Sequence, residues 1–318
     1  MSGTINGYGL LATLSQDSAA IQSQLSVATQ QVATSKVANT YAGLGAAARV
    51  SLDLRPQIAH QAAWAANIDG VSARLGVTQS ALAAIGQVAS DFYAKMPSLN
   101  GLTPGAGAAV AAQARTALER VAELLNSKVG GTYLFAGQDT ANPPVPNTSA
   151  ASLIPALLTG TPPAPFSATI GTAVPTLEVG EGRQVQVGVL ANANTLSTSA
   201  APTSGSYMRD IMTALATLAT TTDGPGLPAV AASTRDQLGS AIAASSAEAG
   251  ALGNVQAGLV TRKSQLAETQ TALTAQVSGA EDVDLAATLT KVSALQTQLQ
   301  ASYKLMSEVK GMSLAQYL

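Results

Sequence analysis

Both ends of this chain repeat apolar or small side chains at alternating intervals of three and four. Near the start the positions are Leu11, Leu14, Ser18, Ile21, Leu25, Ala28 and Val32. Near the end they are Leu285, Leu289, Val292, Gln296, Leu299, Tyr303 and Met306. On a helix this rhythm draws one stripe along one side, and such a stripe needs a partner helix to cover it. The stretch between the ends is rich in Pro and Gly and nearly uncharged. Ends that must pair, around an insertion that need not, fit a subunit built to associate better than they fit a catalyst.

The rest of the chain divides by the same signals. Residues 10–37 read as one helix, preceded by a loose glycine-containing start at 1–9 and broken by the glycines of 39–45. A second helix is expected over 54–96, with its stripe at Leu54, Ile58, Gln61, Ala65, Ile68, Ser72, Leu75, Gln79, Leu82 and Ala89, and with Pro56 tolerated in its first turn. A third runs over 108–129 through Val110, Ala114, Leu118, Val121 and Leu125, closed by Gly130-Gly131. Helix returns over 207–218. A long pattern then covers 229–277, with Leu252, Leu259, Leu266 and Leu273 seven residues apart, and Ser278-Gly279 interrupts it. Asp282 or Asp284 starts the last helix, a common place for an acid.

Nine of the fourteen prolines fall between 143 and 202, so helix is not expected there. Tyr133-Leu134-Phe135 is a short strand signal. Residues 176–179 and 183–189 alternate as strands around Gly180-Glu181-Gly182, a hairpin pattern. The expected fold is mainly α with a small β insertion: long antiparallel helices, a terminal coiled coil and a central β-rich outer domain. The expected domains are 1–40 with 278–318, 41–139 with 207–277, and a Pro-rich β domain at 140–206.

Little in the chain can carry chemistry. Its formal net charge is -2 and only 11% of residues are charged, which argues against nucleic acid as a partner. There is no cysteine, which removes disulfides, thiolate zinc sites and cysteine nucleophiles. No run of eighteen apolar residues exists to cross a membrane. The first basic residue is Lys36, so export is expected to proceed without a cleavable signal peptide. His60 is the one histidine and has no companion ligand. Glu281, Asp282 and Asp284 read as a helix start rather than a calcium loop, which needs more oxygens around a central Gly. Glu178 and Glu181 read as solvated hairpin residues rather than a glycosidase pair, and Gly105-Ala106-Gly107 as a turn rather than a dinucleotide loop. Tyr133 and Phe135 read as anchors for the β region. No catalytic, cofactor-binding or metal-binding residue is expected, and the chain is not read as an enzyme. A ligand-binding role for 140–206 has little to stand on, since that stretch is mostly Ala, Thr and Pro with Phe166 its only aromatic.

The last segment, 281–318, opens on Glu281-Asp282-Val283-Asp284, continues as a Gln-, Leu- and Ala-rich helix, and closes on Ser313-Leu314-Ala315-Gln316-Tyr317-Leu318. It resembles the C-terminal domain of bacterial flagellins. Residues 131–145, GTYLFAGQDTANPPV, are similar to the Tyr-Leu-Phe-x-Gly strand of flagellar hook-associated protein three, the hook–filament junction protein. Residues 177–189 are similar to the strand pair that follows in that family. Flagellin proper usually opens on Asn-Thr-Asn, turns on Ser-Gly-x-Arg-Ile-Asn-x-Ala and ends near Val-Leu-x-Leu-Leu. Here the opening is Thr4-Ile5-Asn6-Gly7, the turn region is 33–45, and the ending is the one quoted above. The Gly-Lys-x-Ile/Val-x-x-Pro-Ser-Asp-Asp turn often seen in junction proteins is also absent.

The resemblance implies an extracellular structural protein of the bacterial flagellum, its terminal helices in an inner tube and its β insertion outward. It implies assembly as a ring or short helical layer of copies. The implied partners are flagellin, the other hook-associated junction protein and a flagellar export chaperone, with no nucleic acid and no membrane insertion. The implied assembly interface is Leu11, Leu14, Ile21, Leu25, Val32, Leu285, Leu289, Val292, Leu299, Tyr303, Met306, Leu314, Tyr317 and Leu318. The alternative within the same family is flagellin or a minor flagellin homologue that forms the filament itself.

Overall fold

The computed structural model describes residues 3–100, 103–195 and 203–315; for 3–8, 10 and 311–315 it describes the backbone alone. The chain falls into two compact units, Met1–His60 with Thr269–Leu318, and Gln61–Glu268. It is mainly helical, and the described residues form two small antiparallel sheets of two strands each.

The first unit holds α1 (Gly3–Thr34), α2 (Tyr41–Leu44), the start of α3 (Ala48–Lys95), the end of α7 (Leu227–Glu281) and α8 (Leu285–Ala315). Helices α1 and α8 run antiparallel, as the contacts of Ser18 with Ser302 and of Lys36 with Asp282 require. Two expectations change here. Helix α1 starts at Gly3, so the glycines expected to loosen residues 1–9 lie within it. Helix α7 continues through Ser278-Gly279 to Glu281. A helical glycine costs about 1 kcal/mol relative to Ala, which weakens a helix without ending it. The last helix starts where an acid was expected. Asp284 Oδ1 accepts from Ala287 N at 3.0 Å, and the Asp284 carbonyl accepts from Thr288 N at 2.9 Å. Pro56 was expected in a first turn, but α3 begins at Ala48 and places it inside the helix. Pro56 and Leu52, whose carbonyl loses its amide donor, are both exposed.

The second unit is built on α3 and α7, also antiparallel. Lys263 Nζ lies 2.6 Å from Asp69 Oδ1, and the Arg235 guanidinium lies 5.0 Å from the centre of the Tyr93 ring. The stripe of α3 buries Ile68, Leu75, Leu82 and Ala89, and that of α7 buries Leu252, Leu259 and Leu266. All belong to one core. Helix α4 (Ala106–Leu125) adds Val110, Ala114, Leu118, Val121 and Leu125, the face expected from spacing. Helix α6 (Tyr207–Ala219) is buried almost throughout and packs on α4.

Helix α4 stops at Leu125, short of Gly130-Gly131. Asn126 is the reason: its side chain donates to Val145 O at 2.8 Å and accepts from Val145 N at 2.9 Å, which draws the chain off the helix axis. The two glycines instead make the turn between β1 (Lys128–Val129) and β2 (Thr132–Tyr133), both at positive φ, as a tight hairpin requires. The Pro-rich stretch contains a helix that composition argued against, α5 (Ala150–Leu158), with Pro155 inside it. Packing overrides propensity there. Leu153 and Leu157 are buried, the helix packs against α4 and α6, and Glu119 Oε1 accepts from Ala150 N at 2.9 Å. Strands β3 (Thr176–Gly180) and β4 (Arg183–Gln186) form the expected hairpin, with a bulge near Gly180. Arg262 Nε donates to Val179 O at 2.8 Å, and a Cβ at Gly180 would lie 2.5 Å from its guanidinium. Phe135 is fully buried in the core, as an anchor residue would be.

The start of α4 is held by one side chain. Asp223 accepts from Gly105 N at 3.0 Å and from Gly107 N at 2.7 Å, in the manner of a cap. Asp223→Ala is therefore expected to lower the unfolding free energy by about 1–2 kcal/mol in a urea titration followed by circular dichroism. An unchanged midpoint and slope would contradict this role.

Candidate functional site

The terminal helices carry the expected stripes, and the first unit shows how they meet. On α1, Ser18 and Ala28 are buried, while Leu11, Leu14, Ile21, Leu25 and Val32 are half-buried. On α8 the residues withdrawn from solvent are Thr288, Val292, Leu295, Leu299, Ser302, Met306 and Val309. Each set keeps the three-four rhythm of a seam. At its middle the Ser18 and Ser302 hydroxyls lie 2.6 Å apart.

The α8 positions expected from sequence divide between two faces. Val292, Leu299 and Met306 lie in the seam. Leu285, Leu289 and Tyr303 do not: they are 42%, 51% and 47% exposed on a neighbouring face. The Tyr303 hydroxyl accepts a hydrogen bond from Gln22 Nε2 of α1, which holds its ring at the margin of the seam. The side chain of Leu314 and all of Tyr317 and Leu318 lie outside the described residues. Thr288, Leu295, Ser302 and Val309 were missed. Two of them are polar and invisible to an apolar count, whereas Leu295, three residues after Val292, was a usable signal.

The far end of the seam is closed by a cluster of charges that sequence reading did not assemble. The Glu281 side chain is only 7% exposed. Its Oε1 accepts from Ser51 Oγ at 2.6 Å and from Arg55 Nε at 2.9 Å. Its Oε2 accepts from Arg55 Nη2 at 2.6 Å and from Lys36 Nζ at 3.4 Å. Lys36 Nζ also lies 2.5 Å from Asp282 Oδ1. The backbone joins in: Val37 N donates to Glu281 O at 2.7 Å, and Val283 N donates to Ser35 O at 3.1 Å. Ser35 takes a positive φ of 57°, a strained conformation for a non-glycine residue, where the chain turns out of α1. Of the acids read as a helix start, Asp284 has that role, while Glu281 and Asp282 serve the clasp.

The ionic states follow from these contacts. Hydrogen bonds from Arg55 and Ser51 hold the Glu281 carboxyl down at about 2, against an ordinary 4.5. The hydrogen bond from Lys36 lowers Asp282, and the same bond raises Lys36 above its ordinary 10.5. These contacts hold the helix ends in place. Among the described residues no group of His, Asp and Glu could hold a metal ion, and no helix is long and apolar enough to cross a membrane. His60 lies on an exposed part of α3.

The first unit thus pairs the terminal helices along a seam closed by ion pairs. Residues 5–140 match the bacterial flagellin N-terminal helical region, and residues 236–318 match the bacterial flagellin C-terminal helical region. Together these cover more than half of the chain, which belongs to the bacterial flagellin family. That is a family of structural, non-enzymatic proteins of the bacterial flagellum, an extracellular structure. No curated protein sequence matches the chain. In fold it is similar to a solved structure described as a flagellar hook-associated protein from Vibrio parahaemolyticus. The TM-score is 0.57 at 12% identity, over 74% of this chain and 97% of that one.

The clasp has a testable pH signature. Glu281 has a folded value below its ordinary one, so its contribution is full above about pH 4.5 and is lost as pH falls towards 2. Lys36 has a raised value, so its contribution holds below 10.5 and is lost above that. Glu281→Gln is expected to cost about 2 kcal/mol at neutral pH in thermal or urea unfolding. The gap between variant and wild type should close between pH 4.5 and 2. A gap that stays constant with pH would refute the assignment.

Proposed function

We propose that this chain is an adaptor at the hook–filament junction, a ring or short helical layer of copies onto which flagellin assembles. The observation that carries the reading is the resemblance of 131–145 and 177–189 to the junction protein, together with an opening at 4–7, a turn region at 33–45 and an ending at 313–318 that depart from flagellin proper. The likeness in fold to the Vibrio hook-associated protein, which spans 97% of that chain, agrees with it.

The mechanism is geometric. The α1–α8 seam leaves Leu285, Leu289 and Tyr303 outward, an apolar flank that a neighbouring copy would cover. With the seam residues Leu11, Leu14, Ile21, Leu25, Val32, Val292, Leu299 and Met306, and with Leu314, Tyr317 and Leu318, that flank forms the proposed assembly interface. The partners are further copies, flagellin, the other hook-associated junction protein and an export chaperone. The protein acts outside the cell, as a part of the flagellum. The second reading, flagellin or a minor flagellin homologue that forms the filament itself, draws on the match of 5–140 and 236–318 to the terminal helical regions of flagellin.

Deleting the gene separates the two readings. Hooks without filaments in electron micrographs, with flagellin monomers in the medium, are expected for the junction adaptor. Normal or merely shortened filaments would overturn the adaptor in favour of a filament component.

A further inference from the structure

We infer that Ser18 and Ser302 form a contact that sets the register of the terminal helix pair, separately from the ion-pair clasp. The inference concerns the folded chain and does not rest on the junction reading. Both serines are buried, at 4% and 8% exposure, in the middle of a seam whose other α1 members are all apolar. Ser18 Oγ donates to the Leu14 carbonyl at 2.8 Å. Its one proton is thereby used, so in the 2.6 Å contact Ser302 is the donor and Ser18 the acceptor.

Counting outward from this contact along two antiparallel helices pairs Leu11 with Val309, Leu14 with Met306, Ile21 with Leu299, Leu25 with Leu295, Ala28 with Val292 and Val32 with Thr288. Every seam residue of one helix thus meets a seam residue of the other. That regularity is also a weakness. A slip of one heptad, about 10.5 Å along the axis, would match the two stripes again over most of their length. Apolar contacts alone do not tell these alignments apart. After such a slip Ser302 would face Leu11 or Leu25, and its hydroxyl would sit in an apolar seam without its partner. Thr288, the other hydroxyl in the α8 stripe, does not discriminate in this way, because it donates to Asp284 O within its own chain segment at 2.7 Å. Among the described residues the serine pair reads the register inside the seam and Gln22 with Tyr303 at its margin, while Lys36, Glu281, Asp282 and the backbone bonds beside them read it at the end.

The chain has no cysteine, so two engineered ones can be spin-labelled without interference. Gln16→Cys and Lys291→Cys sit on exposed positions of α1 and α8, about 20 Å apart along the axis in the native alignment. The clasp is first weakened by Glu281→Gln. With both serines present, pulsed electron–electron double resonance should then give one distance distribution. Adding Ser18→Ala and Ser302→Ala should bring in a second population displaced by about 10 Å, with its weight raised about tenfold over the serine background. Alanine favours helix, so both helices should persist, and circular dichroism checks this. An unchanged single distribution in the alanine variant would overturn the inference. So would a split distribution in Glu281→Gln alone, which would make the clasp the sole register contact.

Discussion

A carboxylate withdrawn from water costs several kcal/mol unless charges and hydrogen bonds replace its hydration. Glu281 meets that demand with Ser51, Arg55 and Lys36, and the terminal architecture depends on how it does so. These partners come from the segment after α1 and from the start of α3, while Glu281 itself ends α7. One side chain therefore ties three segments that lie far apart in sequence. The backbone bonds between 35–37 and 281–283 form beside it, and they decide where α1 stops and where Asp284 can start α8. The strained Ser35 is tolerated because its neighbours on both sides are held.

From that end the seam runs along α1 and α8 without further charge. Most of its members are half-buried rather than buried, because a two-helix pair covers each stripe from one side only. Isolated exposed apolar residues are ordinary. Leu285, Leu289 and Tyr303 differ in sharing one face of a helix whose other face is already occupied. The second unit is closed by contrast, with α6 buried almost throughout and α3, α4 and α7 packed on one core. A chain with one satisfied unit and one half-satisfied unit suits a family whose members are structural parts of the flagellum.

The helical plan was legible because long stripes average over many residues. Leu252, Leu259 and Leu266 stand at 0–1% exposure, where their spacing placed them. Misreadings fell where a local signal met a tertiary contact. Pro155 argued against helix, but burial of Leu153 and Leu157 outweighed it. Gly130-Gly131 looked like a helix stop, but Asn126 ended α4 earlier by capturing Val145. In the candidate site the α1 stripe was readable throughout, because a single apolar face exists there. Helix α8 carries two interleaved faces, and counting apolar residues merged them. Thr288 and Ser302 gave no apolar signal, and nothing local links Glu281 to Ser51 or Arg55, some 230 residues away.

The most direct measurement replaces Leu285 and Leu289 together by Ser and leaves Tyr303 with its bond to Gln22 in place. The purified variant is compared with wild type by circular dichroism and thermal melting. Both are then expressed in cells lacking the native gene, and incorporation into flagella is followed by immunoelectron microscopy. An outward assembly flank predicts an unchanged helical signal and midpoint, with no incorporation. Normal incorporation of the variant would contradict it.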